Sequence, residues 1–63
     1  MIYQYKVVPS KLDEVKQKLG RITEYKDLGD STLEVVTDNL TLATAIKGIL
    51  EIDGVLDRYS QEG

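Results

Sequence analysis

A chain of 63 residues with neither cysteine nor histidine has no disulfide to staple it and lacks the usual ligands of a structural transition metal. Chains this short bury a modest share of their surface and carry little spare stability. The fold must therefore be held by apolar packing alone, or be completed by a second copy. The only aromatic residues are Tyr3, Tyr5, Tyr25 and Tyr59, so Leu, Ile and Val have to supply most of the core of a single domain spanning 1–63.

Residues 1–8, MIYQYKVV, are rich in aromatic and β-branched types and stop at Pro9, which predicts a strand. Tyr3, Tyr5 and Val7 fall on one face and Ile2, Gln4, Lys6 and Val8 on the other. A helix is expected over about 10–19. Ser10 is placed to cap it, Asp13 and Glu14 suit the positive end of its dipole, and Gly20 is placed to stop it. Leu12, Val15 and Leu19 make its apolar stripe.

Arg21 to Leu28 is expected to be a second strand with charge on both faces, which suits a sheet edge. Asp27-Leu28-Gly29-Asp30-Ser31 carries turn chemistry, and Thr32–Thr37 alternates as a third strand with Leu33 and Val35 facing the core. The short loop predicts a hairpin. Asp38 or Asn39 caps a second helix, whose stripe is Leu42, Ala43, Ile46, Ile49 and Leu50. Gly54 ends it, Val55–Tyr59 is a short fourth strand, and Ser60–Gly63 a polar tail.

The order β-α-β-β-α-β is that of the split βαβ, or ferredoxin-like, arrangement. The predicted class is α+β, a four-stranded antiparallel sheet with both helices on one face. Right-handed crossovers put the first and third strands inside and the second and fourth at the edges.

The residues offer little chemistry. Nucleophilic catalysis lacks a Cys–His or Ser–His set, and the acids Asp27 and Asp30 flank a turn, so the chain is not expected to be an enzyme. Glu51, Asp53 and Asp57 lack any calcium-loop spacing and read as solvated surface, so no metal and no cofactor is expected. The junction Val8-Pro9-Ser10-Lys11 has no glycine for a phosphate loop, which leaves Ser10 and Lys11 as a weak anion-binding pair at a helix start. Net charge is −3, and general nucleic-acid binding needs clustered cations, so nucleic acid is not expected as a partner. Tyr3 and Tyr5 supply half the stacking pattern of RNA-recognition motifs, but the third strand adds no aromatic residue. No stretch is long enough to span a bilayer. Met1–Lys6 lacks the basic start and apolar run of a secretory leader, and a cytoplasmic location is expected.

What remains is a non-catalytic module that binds a protein partner through an exposed sheet edge or face, a second copy of itself included, so a homodimer is expected. Tyr and Arg are favoured interface anchors. The candidate interface residues are Tyr25 and Lys26 on the second strand, and Arg58 and an exposed Tyr59 on the fourth. The alternative is a small-molecule-sensing domain similar in topology to the ACT type, with its ligand near Pro9–Lys11. The Ile52-Asp53-Gly54-Val55 join is of the kind such folds use.

Overall fold

A computed structural model describes residues 1–63. Its elements are β1 (Ile2–Val7), a 3-10 turn (Pro9–Lys11), α1 (Leu12–Gly20), β2 (Lys26–Gly29), β3 (Thr32–Val36), α2 (Leu40–Ile52) and β4 (Leu56–Glu62). The protein is an α+β fold with one four-stranded sheet in the order β2-β3-β1-β4, and every neighbouring pair is antiparallel. Neither helix is long and apolar enough to cross a membrane.

The alternation of β1 places its side chains as a pleated strand must. Tyr3, Tyr5 and Val7 are buried, while Ile2, Gln4 and Lys6 are half-exposed on the opposite face. Leu33 and Val35 of β3 join the buried set, and Val15 and Leu19 of α1 with Ala43, Ile46 and Leu50 of α2 close over it. One face of the sheet thus carries the core, and the other is open.

Several local expectations are corrected. Ser10 does not cap α1. Pro9 opens a 3-10 turn in which the Lys11 N–H donates to Val8 O, so Ser10 lies inside that turn rather than in the extended conformation a cap requires. Lys11 precedes α1 with no side-chain cap, and Asp13 and Glu14 supply the negative charge at the first turn. Gly20 is the last helical residue rather than the stop. Arg21 keeps a right-handed helical backbone, and the N–H groups of Ile22 and Thr23 both donate to Leu19 O. Residues 21–25 are therefore consumed by the helix end and its exit, which is why β2 begins only at Lys26. Asp27, Leu28 and Gly29 are strand, and the turn proper is Asp30-Ser31, both with positive φ (53° and 60°). That geometry matches the right-handed twist of a tight hairpin.

At the second helix the choice between Asp38 and Asn39 falls on Asn39, whose side chain accepts from the Leu42 N–H at 3.0 Å. Gly54 adopts φ +69° just beyond the helix, a conformation that costs glycine least. Ser60, Gln61 and Glu62, expected as a tail, are strand residues paired with Gln4, Tyr3 and Ile2.

The Tyr5 hydroxyl donates a 2.8 Å bond to Ala43 O inside the core. Burial pushes its pKa well above the ordinary 10.0, with the Tyr59 and then the Tyr3 phenol adding to the effect. In the unfolded chain the phenol ionises near its ordinary value, so this contribution is intact below about pH 10 and is lost as pH rises toward the folded value. The urea-unfolding midpoint is expected to fall above about pH 10, and to fall less in Tyr5→Phe. Lys16 and Lys18, whose pKa values are raised by hydrogen bonds to Asp27 and Asp53, lose their pairs in the same direction. They remain in Tyr5→Phe, so the difference between the two profiles belongs to Tyr5. Superimposable profiles would contradict this assignment.

Candidate functional site

The sheet has two edges, and they are built differently. β2 is four residues long, and its pairing with β3 is broken by a register shift between Asp27 and Gly29. Its Asp27 is held from two sides, accepting from the Gly29 N–H at 2.9 Å and from Lys16 Nζ of α1 at 3.0 Å. The backbone bond first, and Lys16 second, keep this carboxyl below the usual carboxylate range. A short, bulged, charged edge that is tethered to a helix is poor at accepting another strand.

β4 also carries charge, at Asp57, Arg58 and Glu62, but it is longer and its irregularity is confined to its start. It runs seven residues, from Leu56 to Glu62, with no proline and no lysine. Its register with β1 shifts only at Lys6/Val7, leaving Arg58–Glu62 regular. Bonds at the end of β1 fix which backbone groups are spoken for. The Val7 N–H donates to Ser31 O on the β3 side, and the Val8 N–H donates to Val55 O on the β4 side. Alternation along β1 then turns Ile2, Gln4 and Lys6 toward β4. Their partners Glu62, Ser60 and Arg58 face back to β1. The N–H and C=O groups of Tyr59 and Gln61 therefore point out of the sheet, toward no strand.

The side chains of β4 sort the same way. Arg58, Ser60 and Glu62 lie on the open face beside Lys6, Gln4 and Ile2, while Tyr59 and Gln61 lie on the helix side beside Tyr5 and Tyr3. Gln4, Lys6, Asp30, Thr32, Arg58 and Ser60 line a shallow polar depression on the open face. Gln4 donates to Glu34 at 3.2 Å, and Lys6 reaches Asp30 at 3.5 Å. Arg58 and Glu62 have no ion-pair partner within the chain.

The four candidate interface residues do not form one surface, since β2 and β4 are opposite edges of the sheet. Tyr25 lies before β2 and folds onto the core, with its ring near Gly20. Lys26 is exposed opposite Glu34. Arg58 is exposed on the open face. Tyr59 is half-buried rather than exposed, 5.3 Å from the Tyr5 ring and 6.5 Å from the Tyr3 ring by centroid, with Lys47 Nζ 5.3 Å over its own ring. It braces the edge strand against the core as well as lying at the edge. Ser10 and Lys11 are exposed in the 3-10 turn, and Lys11 sits 3.9 Å from Glu14. Ser60, Gln61 and Glu62 were missed as edge residues because they are polar and carry no alternating apolar signal.

A second surface feature lies between the helices. Ile22 and Ile49 stand at the rim of a cleft floored by Val15, Leu19, Ile46 and Leu50, with Lys18 beside it. Lys18 is bonded to Asp53 at 2.7 Å. Ile52, at the end of α2, is 87% exposed. No three acidic side chains converge as metal ligands. No protein-family model, curated protein or solved structure matches the chain.

Proposed function

We propose that the chain is a split-βαβ, ferredoxin-like module without catalytic activity that binds polypeptide by strand addition at the free edge of β4. The observation that carries this reading is the pair of outward backbone sets on Tyr59 and Gln61, set in a long, regular edge strand. Strand addition satisfies such groups directly, with affinity from the main chain and selectivity from alternate side chains. The order β2-β3-β1-β4 with a helix in each of the two crossovers supports the fold assignment. The contrast with β2 supports the choice of edge.

The test uses the orientation of the backbone. Gln61→Pro removes an N–H that points away from β1, so it blocks the edge while sparing the ladder that holds β4 in the sheet. The variant is expected to melt close to the parent and to lose association with any partner that the parent captures or with itself. Association retained at full strength in a folded Gln61→Pro protein would move the binding surface elsewhere.

A further inference from the structure

We infer that the strand added to β4 is the β4 of a second copy, paired antiparallel about a two-fold axis through Ser60. This rests on the edge-binding reading above and names its partner. The two sheets would join as one of eight strands, with both open faces on one side and all four helices on the other.

The register follows from parity and charge. Residues whose backbone groups point outward must face each other for the ladder to form. In β4 these are Tyr59 and Gln61, so the axis can pass through a residue but not between two. An axis through Arg58 sets the two guanidinium groups directly opposite, a repulsive arrangement. An axis through Tyr59 leaves Arg58 facing Ser60 and Glu62 facing Leu56, so neither ion meets its opposite directly. An axis through Gln61 overlaps too few residues. An axis through Ser60 pairs Tyr59 with Gln61 of the second copy in hydrogen-bonded positions, twice. It also sets Arg58 opposite Glu62 of the second copy, twice, in the closer non-hydrogen-bonded positions.

Arg58 and Glu62 are the charged residues of the regular open-face stretch of β4, and both lack a partner inside the chain. One register satisfies all four ions of the pair. On the helix side, Gln61 of the second copy meets the half-exposed edge of Tyr59. The partner chemistry that β4 fits best is its own.

The chain has no cysteine, so a single introduced thiol reports the register. Residues on the axis in a non-hydrogen-bonded pair stand about 4.5 Å apart by Cα, within reach of a disulfide. With oxidised glutathione as the oxidant, Ser60→Cys is expected to form a covalent dimer much faster than Arg58→Cys or Gln61→Cys. Charge supplies the second arm, read by sedimentation equilibrium from micromolar to millimolar concentration. Arg58→Glu alone and Glu62→Arg alone are each expected to weaken dimerisation about tenfold or more, as two attractive cross-strand pairs become repulsive. The double swap restores it, which loss of folding could not mimic.

Fastest cross-linking at another position, or a double swap no better than the singles, overturns the Ser60 register. A parent that stays monomeric throughout, while Gln61→Pro still abolishes capture of another protein, overturns the second copy as partner and leaves edge binding standing. If Gln61→Pro changes neither dimerisation nor capture, edge binding itself fails.

Discussion

Tyr5→Ala is expected to remove most of the stability of the fold. Tyr5 is fully buried at the centre of the core, and truncating a buried aromatic ring costs about 3–5 kcal/mol. A domain of 63 residues has about 3–9 kcal/mol to lose, at roughly 0.05–0.15 kcal/mol per residue. The loss is compounded because the Tyr59 ring rests on Tyr5, so β4 loses its brace at the same time. Tyr5→Phe keeps the ring and removes only the bond to Ala43 O. That bond is worth about 1 kcal/mol, which lowers the melting temperature of a domain this size by about 4–8 °C. Circular dichroism melts of the two variants provide the comparison. A cooperative transition in Tyr5→Ala close to that of Tyr5→Phe would show that the core does not depend on this ring.

The second large effect separates two adjacent residues of one strand. Ser60 faces β1 with its backbone and Gln61 faces away, so the same substitution has opposite consequences. Ser60→Pro removes an N–H from the ladder and forces the ring toward Gln4. It is expected to cost about 3 kcal/mol or more, a large part of the total. Gln61→Pro is expected to stay within about 1 kcal/mol of the parent, as proline is tolerated at an edge position whose N–H faces solvent. Urea unfolding of the two proteins reads both values. Equal destabilisation would mean that β4 has no outward side and cannot accept a further strand.

How much of this was legible in the sequence depends on where apolar pattern and local chemistry agree. The alternation of Tyr3, Tyr5 and Val7, and of Leu33 and Val35, marked β1, β3 and their buried face. The stripe from Leu42 to Leu50 marked α2, and Asn39 and Gly54 bracketed it. The stripe of Leu12, Val15 and Leu19 likewise marked α1, whereas β2 and β4 carry no such pattern. Misreadings occurred where a tertiary contact outweighed local propensity. Residues 21–25 look strand-like because of Ile22, Thr23 and Tyr25, yet Ile22 and Thr23 bond back to Leu19 and Tyr25 packs on the core. Ser10 looks like a cap, but Pro9 ahead of it draws it into a 3-10 turn. Ser60–Glu62 look like a tail, because a polar edge strand is held by its neighbour's backbone rather than by any pattern of its own.

The candidate edge was legible only in part. Arg58 and Tyr59 were visible as anchor types, but their separation onto opposite faces of β4 depends on the pairing with Lys6 and Tyr5. The outward orientation of Tyr59 and Gln61 needs the register of three strands. No sequence signal carries that information, since the backbone groups involved are the same in every residue but proline.

Amide hydrogen exchange followed by NMR tests the central claim most directly, because it reads the Tyr59 and Gln61 N–H groups themselves. In dilute protein both are expected to exchange without protection, while those of Arg58, Ser60 and Glu62, facing β1, are slow. At millimolar concentration, or on adding a captured partner, the Tyr59 and Gln61 amides are expected to become protected, with β2 unchanged. Tyr59 and Gln61 amides that stay unprotected under association, with protection or shifts appearing instead at β2 or in the cleft between Ile22 and Ile49, would contradict β4 as the binding edge.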